Sequence, residues 1–504
     1  MSAMQKDRQQ QLILAWKTFL NTSLDTLGEQ QVCPEAAVLE LFHSVAATVP
    51  AYQAFLAARD IHPTSIQTWA DFQKLPPIDK QNYLQCYPLG DLCRDGKLET
   101  GDLIAVSSGS TGKPTFWPRF LTDELQIVTR FEQIFRDSFS ADTRRTLAVI
   151  CFPMGTWVGG LYTTNCCRYL NSKGYLVTAI APGNNKEEIY RVVQELGNNF
   201  EQVVLLGYPP FIKDVIDTGI VRGITWQQYN LKMVFAGEVF SEEWRSLVGE
   251  RTGSANPIWD SAALYGTADA GVLGNETPLS ICIRRFLAAH PEAARGLFGE
   301  SRLPTLVQYD PYSRFFEVNE GTLYFSGNNG IPLIRYHIAD NGGIIPYTQM
   351  LEFLAKWGFD PMVELGGKPS RGIFRLPFVY IFGRANFTVS YFGANIYPEN
   401  VTVGLEQLEI RDWVTGKFVM QVRSDGDRNR FLAVVVELAP GIAASESKQQ
   451  AVALAIRAQL QRLNSEFANY VPPEYQLPQV TLTATGDPEY FPLGVKHRYT
   501  RPDA

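Results

Sequence analysis

The sequence predicts an α/β protein in two unequal parts. A large N-terminal domain of mixed sheets, helices and βαβ units precedes a small α+β domain at the C-terminus. Three observations carry that reading. Leu147-Ala148-Val149-Ile150-Cys151-Phe152 and Val203-Val204-Leu205-Leu206 are almost wholly apolar, as strands covered on both faces are. Between them Ile189, Val192, Val193 and Leu196 recur at helical spacing, with Gly197 placed to stop the helix. Such alternation implies a largely parallel sheet. Near Gly383 the texture changes. Phe418-Val419-Met420-Gln421-Val422 and Phe431-Leu432-Ala433-Val434-Val435-Val436 flank Ser424-Asp425-Gly426-Asp427, a hairpin signature. An amphipathic helix bearing Val452, Ile456, Leu460 and Leu463 follows, then a strand near Val480-Thr481-Leu482. The expected division is 1–383 for the large domain and 384–504 for the small one.

Ahead of these elements, the segment from about Gln9 to Tyr52 reads as helices with short breaks, followed by polar turns through Lys74-Leu75-Pro76-Pro77. With 504 residues the chain has room for more than one core. A formal net charge of −7 without a basic run argues against nucleic acid or an anionic membrane as partner. The start of the chain is too polar for a secretory signal, and no apolar stretch is long enough to span a bilayer. The seven cysteines include no CxxC, and no two of the five histidines stand at metal-ligand spacing. Free thiols in a reducing cytoplasm are the expectation, without a structural zinc.

The densest chemical signal is Ser107-Ser108-Gly109-Ser110-Thr111-Gly112-Lys113-Pro114. A loop this rich in backbone N–H and hydroxyl donors, ending in a lysine, can surround a polyphosphate. It is not a Walker A loop. Ser107 stands where that motif needs glycine, and Pro114 where it needs Ser or Thr for Mg²⁺. Taken alone, the loop is as readily a solvated surface turn.

Further segments occur in an order that gives the loop partners. Val49-Pro50-Ala51-Tyr52, Lys74-Leu75-Pro76-Pro77-Ile78-Asp79-Lys80, the Ser/Gly loop, Phe235-Ala236-Gly237-Glu238-Val239, Leu264-Tyr265-Gly266-Thr267-Ala268-Asp269 and Pro332 to Asp340 come first. Gly383-Arg384-Ala385-Asn386-Phe387, Gly393 to Pro398, and Pro492-Leu493-Gly494-Val495-Lys496-His497-Arg498 follow. In this order they resemble the adenylate-forming (acyl-CoA synthetase-like) superfamily, and within it the phenylacetate–CoA ligase branch.

The resemblance implies an AMP-forming carboxylate–CoA ligase for an aromatic or other hydrophobic acid, with ATP, Mg²⁺ and CoA. Gly237 and Glu238 would lie along the adenine and Tyr265 would stack on it. Gly266 would let the backbone approach the α-phosphate, Thr267 would belong to the same nucleotide-binding segment, and Asp269 would hold Mg²⁺. Asp340 would grip the ribose hydroxyls, Arg384 would contact ribose or phosphate, and Asn386 would be the hinge. Lys496 would be the mobile catalytic lysine, with Lys113 facing the departing diphosphate. Trp157, Gly159, Gly160, Tyr162 and Tyr208 lie in segments similar to the acyl-pocket walls, with ordinary core as the equal alternative.

Three residues depart from the pattern. Ala268 replaces a Ser or Thr, Asn386 the usual hinge acid, and Val495 separates Gly494 from Lys496. Two other readings therefore stand beside the ligase: adenylation with transfer to an acceptor other than CoA, and a non-catalytic nucleotide-binding relative. The N-terminal helices serve either as a homodimer surface or as internal packing.

Overall fold

The computed structural model describes residues 3–28, 33–98, 101–106, 115–156, 158–300, 303–366, 372–384, 389–392, 394–424, 430–464, 467–468, 471–492 and 497–500. Its centre is an eleven-stranded sheet. Across it run Phe315–Asn319, Thr322–Gly327, Leu333–Ile345, Phe378–Arg384, Thr305–Gln308, Gly271–Asn275, Ser261–Thr267, Lys232–Ala236, Gln202–Gly207, Thr146–Ile150 and Val177–Ile180.

The two apolar runs are neighbouring parallel strands, Leu147 opposite Val203 and Ile150 opposite Leu206. Their side chains alternate between two helical layers. Leu147, Val149, Val203 and Leu205 pack with Ile189, Val192 and Val193 of the helix Lys186–Leu196. Ala148, Ile150, Val204 and Leu206 pack with Tyr162, Cys166 and Cys167 of the helix Val158–Ser172. Asn185 caps the first of these helices by accepting from the Glu188 N–H, and Glu187 and Glu188 complement its dipole. The helix ends at Leu196 as expected, and Gly197 opens a short 3₁₀ turn.

The sheet is only half parallel, which corrects the expectation. Four of its pairings are parallel and join the five strands from Val177–Ile180 to Ser261–Thr267. Beyond Ser261–Thr267 every pairing is antiparallel. Short turns account for the pairings between consecutive strands at 267/271, 319/322 and 327/333, since parallel neighbours need a long crossover. Glu320 (φ 50°) and Gly321 (φ 74°) are both left-handed and make the tight connection that folds Phe315–Asn319 onto Thr322–Gly327. The helices Pro34–Thr48 and Pro50–Ala57 pack on this antiparallel half. Phe42, Val45, Tyr52 and Phe55 are buried in one cluster with Phe316, Phe325 and Tyr336.

The small domain is α+β. Val414–Ser424 and Arg430–Leu438 pair antiparallel, and Gln479–Thr483 adds parallel to the second. The helix Glu446–Leu463 buries Val452, Ile456 and Leu460 against them, while Leu463 is half-buried at its end. No helix among the described residues is long and apolar enough to cross a membrane.

Candidate functional site

The strands Leu103–Val106 and Phe116–Arg119 form an antiparallel hairpin with Val106 opposite Phe116. The Ser/Gly loop joins them. Ser107, Ser108, Gly109, Ser110, Thr111, Gly112 and Lys113 lie outside the described residues, as do Trp157, Asn386 and Lys496. Arg384 is described by its backbone alone. What the structure places is the frame around them.

At the end of the hairpin, Arg119 is buried and its Nη2 donates to the carbonyl of Ala268. Arg314, equally buried, donates to the carbonyl of Ala270 at 3.3 Å. Two guanidiniums thus grip the chain on either side of Asp269, and Arg119 ties the loop-bearing hairpin to the Tyr265–Asp269 segment. Neither arginine is part of a recognisable motif. Only their isolation in apolar surroundings, as in Phe116-Trp117-Pro118-Arg119-Phe120, marks them in the sequence.

Tyr265 and Asp340 meet. The Tyr265 hydroxyl donates to Asp340 Oδ2 at 2.8 Å, and the ring stacks near Phe316 with centroids 6.4 Å apart. Asp340 pairs in register with Arg384 on the neighbouring strand. The proposed stacking, ribose and phosphate residues therefore converge on one corner of the sheet. Gly342 shapes that corner, because a Cβ there would lie 2.1 Å from the Tyr380 carbonyl oxygen. Gly266 sits at the outer end of its strand, opposite Val272, and Thr267 Oγ1 accepts from the Ala270 N–H.

The strand Lys232–Ala236 lies parallel to Ser261–Thr267 and delivers Gly237 and Glu238 to the same edge. Gly237 has φ 86°, and a Cβ on it would approach Tyr208 Cε1 to 2.7 Å. That contact joins the expected adenine segment to an expected pocket residue. Burial, assisted by Glu238, pushes the Tyr208 hydroxyl up to about 12. The other pocket candidates are less concentrated. Gly159 lies against Phe152, Gly160 against Pro153 and Met154, and the Tyr162 hydroxyl against Gly271. Phe152 in turn meets Tyr208 edge-on at 5.1 Å, so Tyr208, Gly159 and Gly160 share one wall while Tyr162 belongs to the next.

Asp269 is buried and already partnered. Tyr336 donates to its Oδ2 at 2.6 Å, and Lys80 Nζ stands 3.5 Å from Oδ1. Lys80 supplies the positive charge that a metal would bring, and no group of three His, Cys, Asp or Glu suited to a metal exists among the described residues. In this arrangement the residues around Asp269 do not fit a metal ion.

Behind the site runs a buried charge network. Arg245 bonds Glu242 at 3.0 Å, Glu276 at 2.7 Å and Ser261 at 2.9 Å. Glu276 accepts from the Ala263 N–H at 2.8 Å, and Arg284 donates to the Phe240 carbonyl at 2.6 Å. Every charge has an opposite partner, so the network braces both site strands instead of leaving a charge desolvated.

The small domain closes over the 238–241 segment. The Tyr499 hydroxyl donates to Glu238 Oε2 at 2.5 Å. Ser241 donates to Glu406, Lys213 to the Val414 carbonyl at 3.1 Å, and Arg251 to Asp412 at 3.1 Å. Glu406 is buried, and burial pushes its carboxyl up to about 8 despite the Ser241 hydrogen bond. Sequence reading missed Arg119, Arg314, Lys80, Tyr336, Tyr499 and Glu406. Of these, Lys80 and Tyr336 stood in quoted segments, though neither was singled out.

No family model matches the chain, and no curated protein is a significant match. Solved structures do match. The chain is similar to a 2-hydroxyisobutyryl-CoA ligase in the postadenylation state with R3-HIB-AMP, at TM-score 0.64 and 15% identity, over 93% of this chain and 89% of that one. The same ligase with 2-HIB-AMP and CoA in the thioesterification state gives TM-score 0.52 and 15% identity, over 95% and 91%. Identity this low speaks to fold alone. With its mixed eleven-stranded sheet and small α+β C-terminal domain, the chain shares the fold of that ligase.

Proposed function

We propose that this protein is an AMP-forming carboxylate–CoA ligase similar to the phenylacetate–CoA ligase branch, acting on an aromatic or other hydrophobic acid. The observation that carries the reading is the meeting of Tyr265 and Asp340, 75 residues apart in the chain and 2.8 Å apart in space. An aromatic face and a ribose-binding carboxylate at one sheet corner suit a nucleoside. The fold is also that of a ligase seen with acyl-adenylate and CoA.

In the first half-reaction an oxygen of the acid attacks the α-phosphorus of ATP. The bond to the β-phosphate oxygen breaks, and pyrophosphate leaves with the electron pair. Lys113 and the donors of residues 107–112 suit the departing diphosphate. Lys496 suits the charge on the α-phosphoryl group and holds the attacking carboxylate in line. Tyr265, Asp340 and Arg384 orient the nucleoside. Preorganised donors of this kind dominate phosphoryl and acyl transfer. Mg²⁺ would accompany ATP as its counter-ion, and nothing here runs through a metal at Asp269. In the second half-reaction a thiolate attacks the acyl carbon and AMP leaves. Rotation of the small domain about Asn386 would withdraw Lys496 between the two steps.

The test is ATP–pyrophosphate exchange over a panel of carboxylic acids, followed by thioester formation with CoA. Acid-dependent exchange that Lys496→Ala lowers by about 10² or more, with ATP binding kept, is the expected result. Absence of exchange with every acid would leave a nucleotide-binding relative. Exchange without CoA-dependent product would leave another acceptor.

A further inference from the structure

Tyr499 is fastened to the small domain by its backbone and its ring, which leaves its hydroxyl free for another task. Met420 N–H donates to the Tyr499 carbonyl at 2.8 Å, and Thr500 bridges to Met420 on the edge of Val414–Ser424. The ring meets Phe418 at 5.1 Å and His497 at 4.5 Å. His497 is itself held, its Nε2–H donating to the Phe418 carbonyl at 2.7 Å and its ring stacked on Phe491 at 5.7 Å. Burial keeps that imidazole neutral, with its pKa lowered to about 4. Segment 497–500 is thus part of the small domain whether or not Tyr499 carries an oxygen.

The hydroxyl instead crosses to the other domain. Its 2.5 Å bond to Glu238 is the one hydrogen bond from segment 497–500 to the large domain among the described residues. A phenol donating to a carboxylate at this distance is a charge-assisted bond, stronger than a neutral one. Glu238 follows Gly237 on the edge that also presents Tyr265. Tyr499 and Glu406 line the same interdomain cleft with Val239, Phe240, Trp244 and Leu405. Lys496 stands three residues before Tyr499 in the sequence.

We propose that Tyr499 is a positioning residue for adenylation: its hydroxyl, docked on Glu238, sets where the tail segment carrying Lys496 meets the nucleotide. This rests on the ligase reading above and adds a residue outside the segments that carried it. A single hydroxyl bond from Tyr499 to Glu238 can be made and broken without disturbing either core. The bond has no part in the second half-reaction, in which the small domain has turned away.

The experiment compares full-length wild type, Lys496→Ala, Tyr499→Phe, Glu238→Ala and the Tyr499→Phe/Glu238→Ala double variant. Each is assayed for acid-dependent ATP–pyrophosphate exchange, for thioester formation from supplied acyl-adenylate and CoA, and for thermal melting. Tyr499→Phe should lower exchange kcat by about tenfold or more, the scale of a lost charge-assisted hydrogen bond. Its KM for ATP, its thioester rate and its melting should stay within about twofold or a few degrees of wild type. In the Glu238→Ala background the tyrosine substitution should add nothing further, because the hydroxyl has lost its acceptor. Unchanged exchange in Tyr499→Phe, additive effects in the double variant, or equal loss in both half-reactions would overturn the proposal. If Lys496→Ala abolishes exchange while Tyr499→Phe does not, this inference falls and the ligase reading stands. If Lys496→Ala leaves exchange intact, or wild type has none, the ligase reading falls and takes this inference with it.

Discussion

Tyr265 has two parts with separable work. Its ring offers an apolar face, and its hydroxyl fixes Asp340 at 2.8 Å. Tyr265→Phe keeps the face and removes one hydrogen bond from the carboxylate, so KM for ATP should rise about tenfold, as for one lost hydrogen bond to a charged group, with a smaller change in kcat. Steady-state kinetics at saturating acid measure this. Asp269 shows the opposite relation between residue type and surroundings. As an acid in a Tyr-Gly segment it invited a metal-ligand reading, yet its carboxylate lies between the Tyr336 hydroxyl and the Lys80 ammonium. Residue type was legible, but the partner was not. Tyr336 is 67 positions away along the chain, and no local pattern marks a phenol that will arrive from another strand.

At the scale of the element, the network around Arg245 decides whether the site strands hold together. The guanidinium is wholly enclosed and pairs with both Glu242 and Glu276. Arg245→Met should destabilise the fold by about 3–5 kcal/mol, because it leaves the buried Glu276 without its arginine and Glu242 with only Arg284 and Arg285. Denaturant unfolding followed by tryptophan fluorescence checks this. Gly342→Ala tests the sheet corner. A Cβ placed 2.1 Å from the Tyr380 carbonyl cannot be accommodated by a side-chain rotation, since the clashing atom is backbone. Separating Leu333–Ile345 from Phe378–Arg384 there should lower the melting temperature and weaken nucleotide binding together, as Asp340 and Arg384 lose their register. The parallel strands were legible because burial on both faces writes a continuous apolar run. The antiparallel half was not, because a connection such as Glu320-Gly321 is too short to show as a pattern, and other pairings, such as Phe378–Arg384 with Thr305–Gln308, join strands far apart in the chain.

For the whole molecule the seam between the domains is where acid–base chemistry and shape meet. Glu406 faces Ser241, with Glu243 adding repulsion, Arg284 and Lys213 adding attraction, and Tyr499 alongside in the same cleft. Burial raises its carboxyl to about 8, so closing the domains takes up a proton. For a group whose value is raised on closure, the favourable contribution is complete below its ordinary value of 4.5. It fades as pH climbs and is gone above about 8. The closed form should therefore be favoured at pH 6 and lose ground by pH 9, and Glu406→Gln should flatten the dependence. Small-angle scattering, or the distance between probes placed on each domain, follows the change directly.

Chain order alone determined the fold class and the parallel half of the sheet. Apolar runs, a capped amphipathic helix, a hairpin signature and a series of short segments in one sequence are local features, and local features survive reading along a line. The tertiary structure decided which side chains face one another. Tyr499 reaches Glu238 across 261 residues, and the arginines that bond on either side of Asp269 come from positions far from it in sequence. Such meetings depend on how sheets and domains close in three dimensions, where the energy of a charged group is set by the partner that shares its burial.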